Sequence, residues 1–279
     1  MPPYAEVIGD PVAHSLSPAI HGFWLAALGI DGGYRAARVT TEELADYFAA
    51  RRADPDWRGC NVTAPHKESV VDCLDQIGAE AKRIGAVNCV HRDGDRLVGL
   101  NSDVDGLAEA LAGAQIAGAR MAVIGAGGGA RAAVHLAVRS EARSVAVIAR
   151  DAAKAASLAG LGSARTEIRI LPFDRCDGAI AGAAAVVNAT PMGMAQAEAI
   201  PDRLLTALAA AAPGAVALDM VYVPLDTLFL QAARAAGLVA VDGLAMLIGQ
   251  ARRAFRLFYG VTPPTDRDAE LKALLTHSE

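Results

Sequence analysis

Lys67 is a cationic side chain in a segment whose sequence predicts the start of a helix. In the segment NVTAPHKE (residues 61–68), the first three residues are typical of the end of a strand, and Pro65 suits the first position of a helix. The next residues, HKESVVDCLDQI, have apolar positions at helical spacing, so the pattern places Lys67 in the first helical turn. The positive end of the helix dipole disfavours a cation there. Lys67 is therefore either an ordinary solvated side chain or a residue whose charge a nearby site uses.

Asp103, in the segment GLNSDVDG, is a second candidate for acid–base chemistry. It precedes VDGLAEALAG, which has the pattern of a helix, and an aspartate at that position commonly caps the helix. If Lys67 lies opposite Asp103, the two form a candidate acid–base couple. The spacing alone leaves both roles open.

Two serines precede the first predicted helix in HSLSPAIH. Ser17 followed by Pro18 matches an N-cap and a proline at the first helical position, which is a sufficient structural role. Ser15 adds a second hydroxyl beside the same positive helix end. Two hydroxyls at a helix N-terminus suit a small carboxylate.

A glycine-rich turn, GAGGGARA, has the form G-x-G-x-x-A with Gly125, Gly127 and Ala130. Such a turn brings a pyrophosphate close to a helix N-terminus. The pattern is weak alone, but here it follows an apolar strand and precedes a helix, the context that supports dinucleotide binding. A glycine-rich turn without a ligand is the alternative.

Composition excludes several classes of function. The 279 residues are 53% hydrophobic and 20% charged, as in a soluble globular protein, and the net charge of −5 provides no basic surface for nucleic acid. No apolar run reaches the roughly 20 residues that span a bilayer, and the start MPPYAEVIGDP is not a signal peptide, so we expect a cytoplasmic protein without a membrane partner. The four cysteines form no CxxC pair and the histidines form no cluster, so no metal site is expected.

The elements that would position these residues alternate between strand and helix patterns. In the first hundred residues, YAEVIG, YRAARV and GCNVT are predicted strands, whereas SPAIHGFWLAALG and TEELADYFAARR are predicted helices, the first ending at Gly29. AVNCVHRDGDRLVGLN is predicted to form a β-hairpin around Asp93 and Gly94, which brings Asn88 opposite residues 99–101.

The second part of the chain has six strand candidates, mostly joined by helical segments: RMAVIG, SVAVIA, EIRILP, AAVVNA, AVALDM and LVAVDG. This order predicts a doubly wound parallel sheet. The tail LAMLIGQARRAFRLFYG is a predicted amphipathic helix that packs back on the first unit. The fold class is therefore α/β with two domains, a discontinuous α/β domain from residues 1–102 and 241–279 and a Rossmann-type domain from residues 103–240.

Taken together, these strings resemble the shikimate dehydrogenase family over almost the whole chain. The individual motifs are weak, but their order is specific: S-x-S-P, N-V-T-x-P-x-K, A-V-N, N-[ST]-D, G-A-G-G, N-A-T-P-x-G-M and D-G-x-x-M-L-x-x-Q. The resemblance implies reversible reduction of 3-dehydroshikimate to shikimate with a nicotinamide cofactor. The discontinuous domain would then bind the small-molecule substrate, and the Rossmann-type domain would bind the cofactor.

The resemblance also implies roles for particular residues. Lys67, the expected proton carrier, and Asp103 would flank the carbinol that is oxidised. The substrate carboxylate would be held by Ser15 and Ser17, the ring hydroxyls by Thr63, Asn88 and Gln250, and the pocket would be lined by Tyr222. Gln250 would otherwise be an ordinary surface residue of the last helix. The implied cofactor contacts are Gly125, Ala126, Gly127, Gly128, Gly129, Ala130, Arg150, Lys154, Thr190, Met192 and Gly243.

Cofactor choice and substrate remain open from the sequence. After the second Rossmann strand, the family often has N-R-T, whereas this chain has ARD, so an arginine that suits the 2′-phosphate of NADP is followed by Asp151, which suits the ribose of NAD. We expect NADP, with NAD possible. The alternatives are a quinate/shikimate dehydrogenase that uses NAD, a non-catalytic relative that senses nucleotide and metabolite, and a folate-type dehydrogenase. The expected assembly is a monomer or a homodimer.

Overall fold

The computed structural model describes residues 2–194 and 197–276. The chain forms two compact units. One consists of Met1–Ser102 and Gln250–Glu279, and the other of Asp103–Gly249. The sequence predicted the boundary at the end of the nucleotide-type domain between residues 240 and 241, whereas the two units divide between Gly249 and Gln250, inside a helix.

The first unit contains a mixed six-stranded sheet. Its strands are β1 (Tyr4–Gly9), β2 (Gly33–Arg38), β3 (Trp57–Val62), β4 (Gln76–Ile77), β5 (Cys89–Asp93) and β6 (Arg96–Leu100), in the order β2-β1-β3-β5-β6-β4. Strands β1, β2 and β3 are parallel, and β5 is antiparallel to both β3 and β6. The predicted hairpin is confirmed, since Asp93 pairs with Arg96 across the turn and Cys89 pairs with Leu100.

Short helices complete the first unit. They are α1 (Ser17–Leu28), α2 (Leu44–Ala53), a 3₁₀ helix (Ser69–Cys73) and α3 (Ala79–Ile84). Gly29 ends α1 in the left-handed conformation, with φ of 64°, as the sequence predicted.

The helix predicted after Pro65 is wrong. Residues 64–68 form turns, the 3₁₀ helix occupies only Ser69–Cys73, and Gln76 and Ile77 form the edge strand β4 beside β6. The apolar spacing that indicated a helix instead serves the core, because Val70 is fully buried and Leu74 packs against the same cluster as Val70. A helical spacing of apolar residues does not distinguish an α-helix from a turn that buries the same side chains.

The second unit has the predicted parallel sheet. Its six strands are β7 (Arg120–Ile124), β8 (Ser144–Ile148), β9 (Glu167–Leu171), β10 (Ala183–Asn188), β11 (Val216–Asp219) and β12 (Val239–Val241). The order β12-β11-β10-β7-β8-β9, with all neighbours parallel, confirms the doubly wound arrangement. The order reverses between β7 and β10, which is where such sheets bind ligands.

The remaining helices are α4 (Asp103–Ala110), α5 (Gly128–Arg139), α6 (Ala152–Ala159), α7 (Cys176–Ile180), α8 (Asp202–Ala207), α9 (Leu228–Ala235), α10 (Gly243–Tyr259) and α11 (Asp268–Thr276), with short 3₁₀ turns at Phe173–Arg175 and Leu208–Ala210. In the first unit, Ala254 and Phe258 of α10 pack against Ala5 and Cys89. Among the helices in residues 2–194 and 197–276, none is long and apolar enough to cross a membrane.

Candidate active site

The segment that carries Lys67 is fixed to the neighbouring strand region by its backbone. The carbonyl oxygen of Lys67 accepts a hydrogen bond from the backbone N–H of Val87 at 2.7 Å. This bond places Lys67, which is partly buried, beside the residue that precedes Asn88. Because residues 64–68 form turns and no α-helix begins here, the predicted effect of a helix dipole on Lys67 is wrong.

Asn88, Ser102 and Gln250 form the centre of a buried polar network in the first unit. The Asn88 Oδ1 atom accepts a hydrogen bond from the backbone N–H of Ser102 at 2.6 Å, and the Asn88 Nδ2 atom donates to the Ser102 hydroxyl at 3.1 Å. The Ser102 hydroxyl also lies 3.3 Å from Oε1 of Gln250. All three residues are at most 6% exposed. Gln250 is therefore a buried partner of Ser102 and not the surface glutamine that its place on a helix suggested.

The network continues from Gln250 to the start of β2. The Asn61 Nδ2 atom lies 3.5 Å from Gln250 Oε1 and 3.4 Å from the backbone oxygen of Asn88. The Tyr34 hydroxyl donates to Asn61 Oδ1 at 2.7 Å and is in hydrogen-bonding contact with Ser17. The network thus joins three predicted substrate residues, which come from opposite ends of the chain.

The serines have different structural roles from those predicted. Ser17 is the first residue of α1 and Leu16 occupies the N-cap position, so Ser17 is not the N-cap. The Ser15 hydroxyl accepts from the backbone N–H of Ser17 at 3.3 Å. Ser17 is 4% exposed and Ser15 is partly exposed. The Ser15 hydroxyl thus satisfies one backbone N–H group at the start of α1, while the Ser17 hydroxyl contacts Tyr34 of the network.

Thr63 follows β3 directly, and its backbone N–H donates to the oxygen of Ile8 on the neighbouring strand. Gly9 lies so close that an added Cβ would be 2.4 Å from the Thr63 Cγ2 atom. This crowding fixes Thr63 at the end of β3, in the same segment as Lys67.

Sequence reasoning assigned no role to Tyr34, Asn61 or Ser102. Asn61 had a signal, since an amide near the end of a buried strand needs a hydrogen-bond partner. Tyr34 had none, because a tyrosine at the start of a strand is an ordinary residue there.

The predicted cofactor residues of the second unit lie at the carboxyl ends of its parallel strands. Gly125 has a φ of 117°, and a Cβ there would lie 3.0 Å from the Ala189 oxygen and from the Thr190 methyl group. Ala126 follows in the same turn, Gly127 is the N-cap of α5, and Gly128, Gly129 and Ala130 form its first turn. A Cβ on Gly243, at the start of α10, would lie 2.7 Å from the Met220 oxygen. Positions 125 and 243 therefore have no room for a side chain.

A buried network fixes the loop after β10. The Asn188 Oδ1 atom accepts from the hydroxyl of Thr190 at 2.7 Å, and the Asn188 Nδ2 atom donates to Asp219 at 2.9 Å. The Thr227 hydroxyl donates to the other oxygen of Asp219 at 2.6 Å. Met192, whose N–H donates to the Thr190 hydroxyl at 3.2 Å, is buried. The backbone N–H of Val221 also donates to Asp219, at 3.0 Å. Burial raises the pKa of Asp219, although these three hydrogen bonds act in the opposite direction.

Arg150 and Asp151, the two adjacent residues that gave conflicting cofactor signals, make different contacts in the segment after β8. Arg150 is exposed and forms an ion pair with Glu198. The Asp151 carboxylate instead caps α6, because its Oδ1 atom accepts from the backbone N–H of Lys154 at 3.0 Å. Arg131, on α5, donates to the hydroxyl of Ser157 at 2.9 Å.

Asp103 and Tyr222 belong to the second unit. Asp103 is the first residue of α4 and is 3% exposed. Tyr222 follows β11 and is partly buried, and burial raises its pKa. The pairing of Lys67 with Asp103 stays a prediction.

Three family models match the chain in succession. They describe a shikimate dehydrogenase substrate binding domain (residues 7–90), a shikimate / quinate 5-dehydrogenase (residues 106–211) and a shikimate 5′-dehydrogenase C-terminal domain (residues 243–270). A protein from Sphingopyxis alaskensis, named shikimate dehydrogenase (NADP(+)), is 47% identical over 98% of this chain and 97% of its own length.

Solved structures similar to this chain come from the same enzyme family. The shikimate 5-dehydrogenase of Thermus thermophilus, in complex with NADP(H) and shikimate, is 36% identical, with a TM-score of 0.83 over 98% of this chain and 99% of that one. The quinate dehydrogenase of Corynebacterium glutamicum, in complex with NAD, is 31% identical, with a TM-score of 0.83 over 98% and 99%.

Proposed function

Because the chain belongs to the shikimate dehydrogenase family, we propose that it catalyses the reversible NADP-dependent reduction of 3-dehydroshikimate to shikimate. The observation that carries this proposal is the buried network of the first unit. Ser17, Asn88 and Gln250 are far apart in sequence, yet they share one connected set of hydroxyl and amide groups. A substrate with one carboxylate and several ring hydroxyls matches such a set.

In the proposed mechanism, each substrate residue has a role that follows from its chemistry. Ser15 and Ser17 hold the carboxylate, and Thr63, Asn88 and Gln250 bind the ring hydroxyls. Lys67 carries the proton that leaves the carbinol oxygen during oxidation, and Asp103 is the second catalytic residue of the proposed acid–base couple. Tyr222 lines the pocket. The first unit is thereby the substrate-binding unit and the second the nucleotide-binding unit.

The second unit fits NADP. Gly125 keeps the turn after β7 free of a side chain. The N-cap residue of α5, Gly127, makes no side-chain cap, which leaves backbone N–H groups for a pyrophosphate. Gly128, Gly129 and Ala130 form the first turn of α5, Thr190 and Met192 lie on the loop after β10, and Gly243 begins α10. Arg150 and Lys154 supply positive charge for the 2′-phosphate. NADP, when bound, accepts or supplies the hydride.

The relatives named for quinate and for NAD make substrate and cofactor the right variables to test. The purified protein should be assayed with shikimate or quinate, each with NADP or NAD, by the absorbance of the reduced nicotinamide. We expect the highest kcat/KM for shikimate with NADP. A higher value for quinate with NAD would assign the chain to quinate oxidation, and no turnover with any pair would contradict an enzymatic function.

We further infer that the enzyme works in the cytoplasm as a monomer or a homodimer. All four cysteines are free, which suits a reducing compartment. Sedimentation at several protein concentrations would decide between the two assemblies, and a larger species would contradict both.

A further inference from the structure

Tyr34 is the member of the buried network to which no motif assigns a role. It lies at the start of β2, and its hydroxyl donates to Asn61 Oδ1 at 2.7 Å. Its ring stacks on the ring of His21, with centroids 3.9 Å apart and planes 9° from parallel. His21 is fully buried, and burial lowers its pKa to about 3, so this stacking partner is neutral. Burial also raises the pKa of Tyr34 well above its usual range, so the phenol keeps its proton.

The bond from Tyr34 determines the orientation of the Asn61 amide. A side-chain amide has an acceptor oxygen on one side and a donor NH₂ group on the other. Since Tyr34 donates to Oδ1, the NH₂ group of Asn61 faces the Gln250 Oε1 atom and the Asn88 carbonyl oxygen. The reversed orientation would place the NH₂ group against the Tyr34 hydroxyl and the oxygen atom against two other oxygen atoms.

The same logic extends from Asn61 to Gln250. The Oε1 atom of Gln250 faces two donors, the Asn61 NH₂ group and the Ser102 hydroxyl, at 3.5 and 3.3 Å. An amide oxygen has two lone pairs, so these donors use its acceptor capacity. A ligand that reaches the Gln250 side chain therefore meets its NH₂ group.

We propose that Tyr34 is a positioning residue that orients Asn61 and, through it, Gln250, so that Gln250 offers a hydrogen-bond donor to an oxygen atom of a substrate ring hydroxyl. This inference rests on the proposed function, in which Gln250 binds the substrate. It adds a residue outside the motifs. It predicts that substrate affinity depends on a phenol that acts through Asn61, in addition to its contact with Ser17.

The first test is Tyr34→Phe, which removes the hydroxyl and keeps the ring that stacks on His21. We expect the KM for shikimate to rise roughly fivefold, as for the loss of one hydrogen bond, while kcat and the KM for NADP change by less than about twofold. The control is Tyr47→Phe, which removes a hydroxyl that donates to Glu6 in the same unit but outside the network. This control should leave the KM for shikimate unchanged. An unchanged KM in Tyr34→Phe, or an equal rise in both variants, would overturn the inference.

A double-mutant cycle separates positioning from general loss of structure. Gln250→Ala should raise the KM for shikimate less in the Tyr34→Phe background than in the wild-type protein, because there Gln250 has already lost its fixed orientation. Independent effects, in which the two fold-changes multiply, would show that Tyr34 does not act through Gln250.

Asn61→Asp provides a second route if Tyr34→Phe does not fold. An aspartate can still accept from Tyr34, but it places an oxygen where the NH₂ group faced Gln250. Gln250 should then turn its own NH₂ group towards residue 61, and calorimetry should show shikimate binding weakened about tenfold or more, with NADP binding unchanged. Unchanged shikimate binding contradicts the positioning role. Wild-type protein that neither binds nor oxidises shikimate contradicts the proposed function itself.

Discussion

The carboxylate of Asp151 accepts a hydrogen bond from the backbone N–H of Lys154, with 3.0 Å between the two atoms. This bond caps the first turn of α6. An acidic residue at this place in a Rossmann unit favours NAD when it binds the ribose hydroxyls. Here the carboxylate instead accepts from a backbone N–H at the start of the helix, while the neighbouring Arg150 is exposed and pairs with Glu198. The structure thus gives Asp151 a role that does not compete with NADP.

Arg150→Ala is expected to raise the KM for NADP roughly tenfold or more and to change the KM for NAD little, because only NADP carries the 2′-phosphate. Steady-state kinetics with both cofactors at saturating shikimate measures this. Arg169→Ala is a matched control, since Arg169 is an equally exposed arginine on the adjacent strand and pairs with Glu167. Equal losses for NADP and NAD would exclude recognition of the 2′-phosphate by Arg150.

Asp151 variants test the capping role separately. Asp151→Asn keeps a capping side chain and should preserve the ratio of kcat/KM for NADP to that for NAD. Asp151→Ala should lower the free energy of unfolding by about 1 kcal/mol, as measured by denaturant titration. A change of roughly tenfold or more in the cofactor ratio of Asp151→Asn would mean that the carboxylate acts on the cofactor.

Lys67→Ala tests the proton carrier. We expect kcat to fall by about 10² or more while shikimate binding, measured by calorimetry, stays within several-fold of the wild-type value. The fold should be retained, because the hydrogen bond that fixes this segment is accepted by the backbone oxygen of Lys67 and does not involve its side chain. Lys82→Ala, at an exposed lysine of α3, serves as the control. Turnover near the wild-type rate in Lys67→Ala would remove the lysine from the mechanism.

Ser15→Ala tests the carboxylate site. The loss of a hydrogen bond to a charged group should weaken shikimate binding by about 1–3 kcal/mol. NADP affinity should be unchanged. The competing role is structural, since the Ser15 hydroxyl also accepts from the Ser17 backbone. Parallel losses for both ligands, together with a lower melting temperature, would favour that structural role.

Glu6 provides a pH-dependent test of stability in the first unit. Its fully buried carboxylate accepts from Arg51 at 2.7 Å, Arg35 at 2.9 Å and Tyr47 at 2.6 Å. Burial raises the pKa of Glu6, but the three donors outweigh burial, and the pKa lies below its ordinary value of 4.5. A carboxyl with a lowered pKa stabilises the fold above its unfolded pKa, and this contribution is lost as the pH falls through the folded pKa.

Glu6→Gln should therefore be less stable than the wild-type protein at pH 7, by at most about 3 kcal/mol, because both arginines reach solvent. The difference should shrink as the pH is lowered below 4.5. Denaturant titrations of both proteins from neutral to acidic pH measure it. Glu167→Gln, at an exposed carboxylate, should show a much smaller difference. A difference that stays constant with pH would show that the Glu6 charge is not what stabilises the unit.

The sequence alone determined the features that depend on local chemistry. The six strands of the second unit follow from short apolar runs with glycine-rich or helical connections, and the parallel order follows from those connections. Gly29 ends α1 because a left-handed residue is needed there, and the turn at Gly94, with φ of 60°, closes the hairpin for the same reason. The ordered motifs indicated the family, because each motif keeps its spacing along the chain.

Only the tertiary structure decided which polar groups meet. Lys67 lies in a turn because Val70 is buried in the core and Gln76 and Ile77 pair with β6, and both interactions involve residues distant in sequence. The bonds from Tyr34 to Asn61 and from Ser102 to Gln250 join residues 27 and 148 positions apart. A side-chain hydrogen bond depends on the partner that the fold brings within about 3 Å, and local sequence patterns contain no information about that partner.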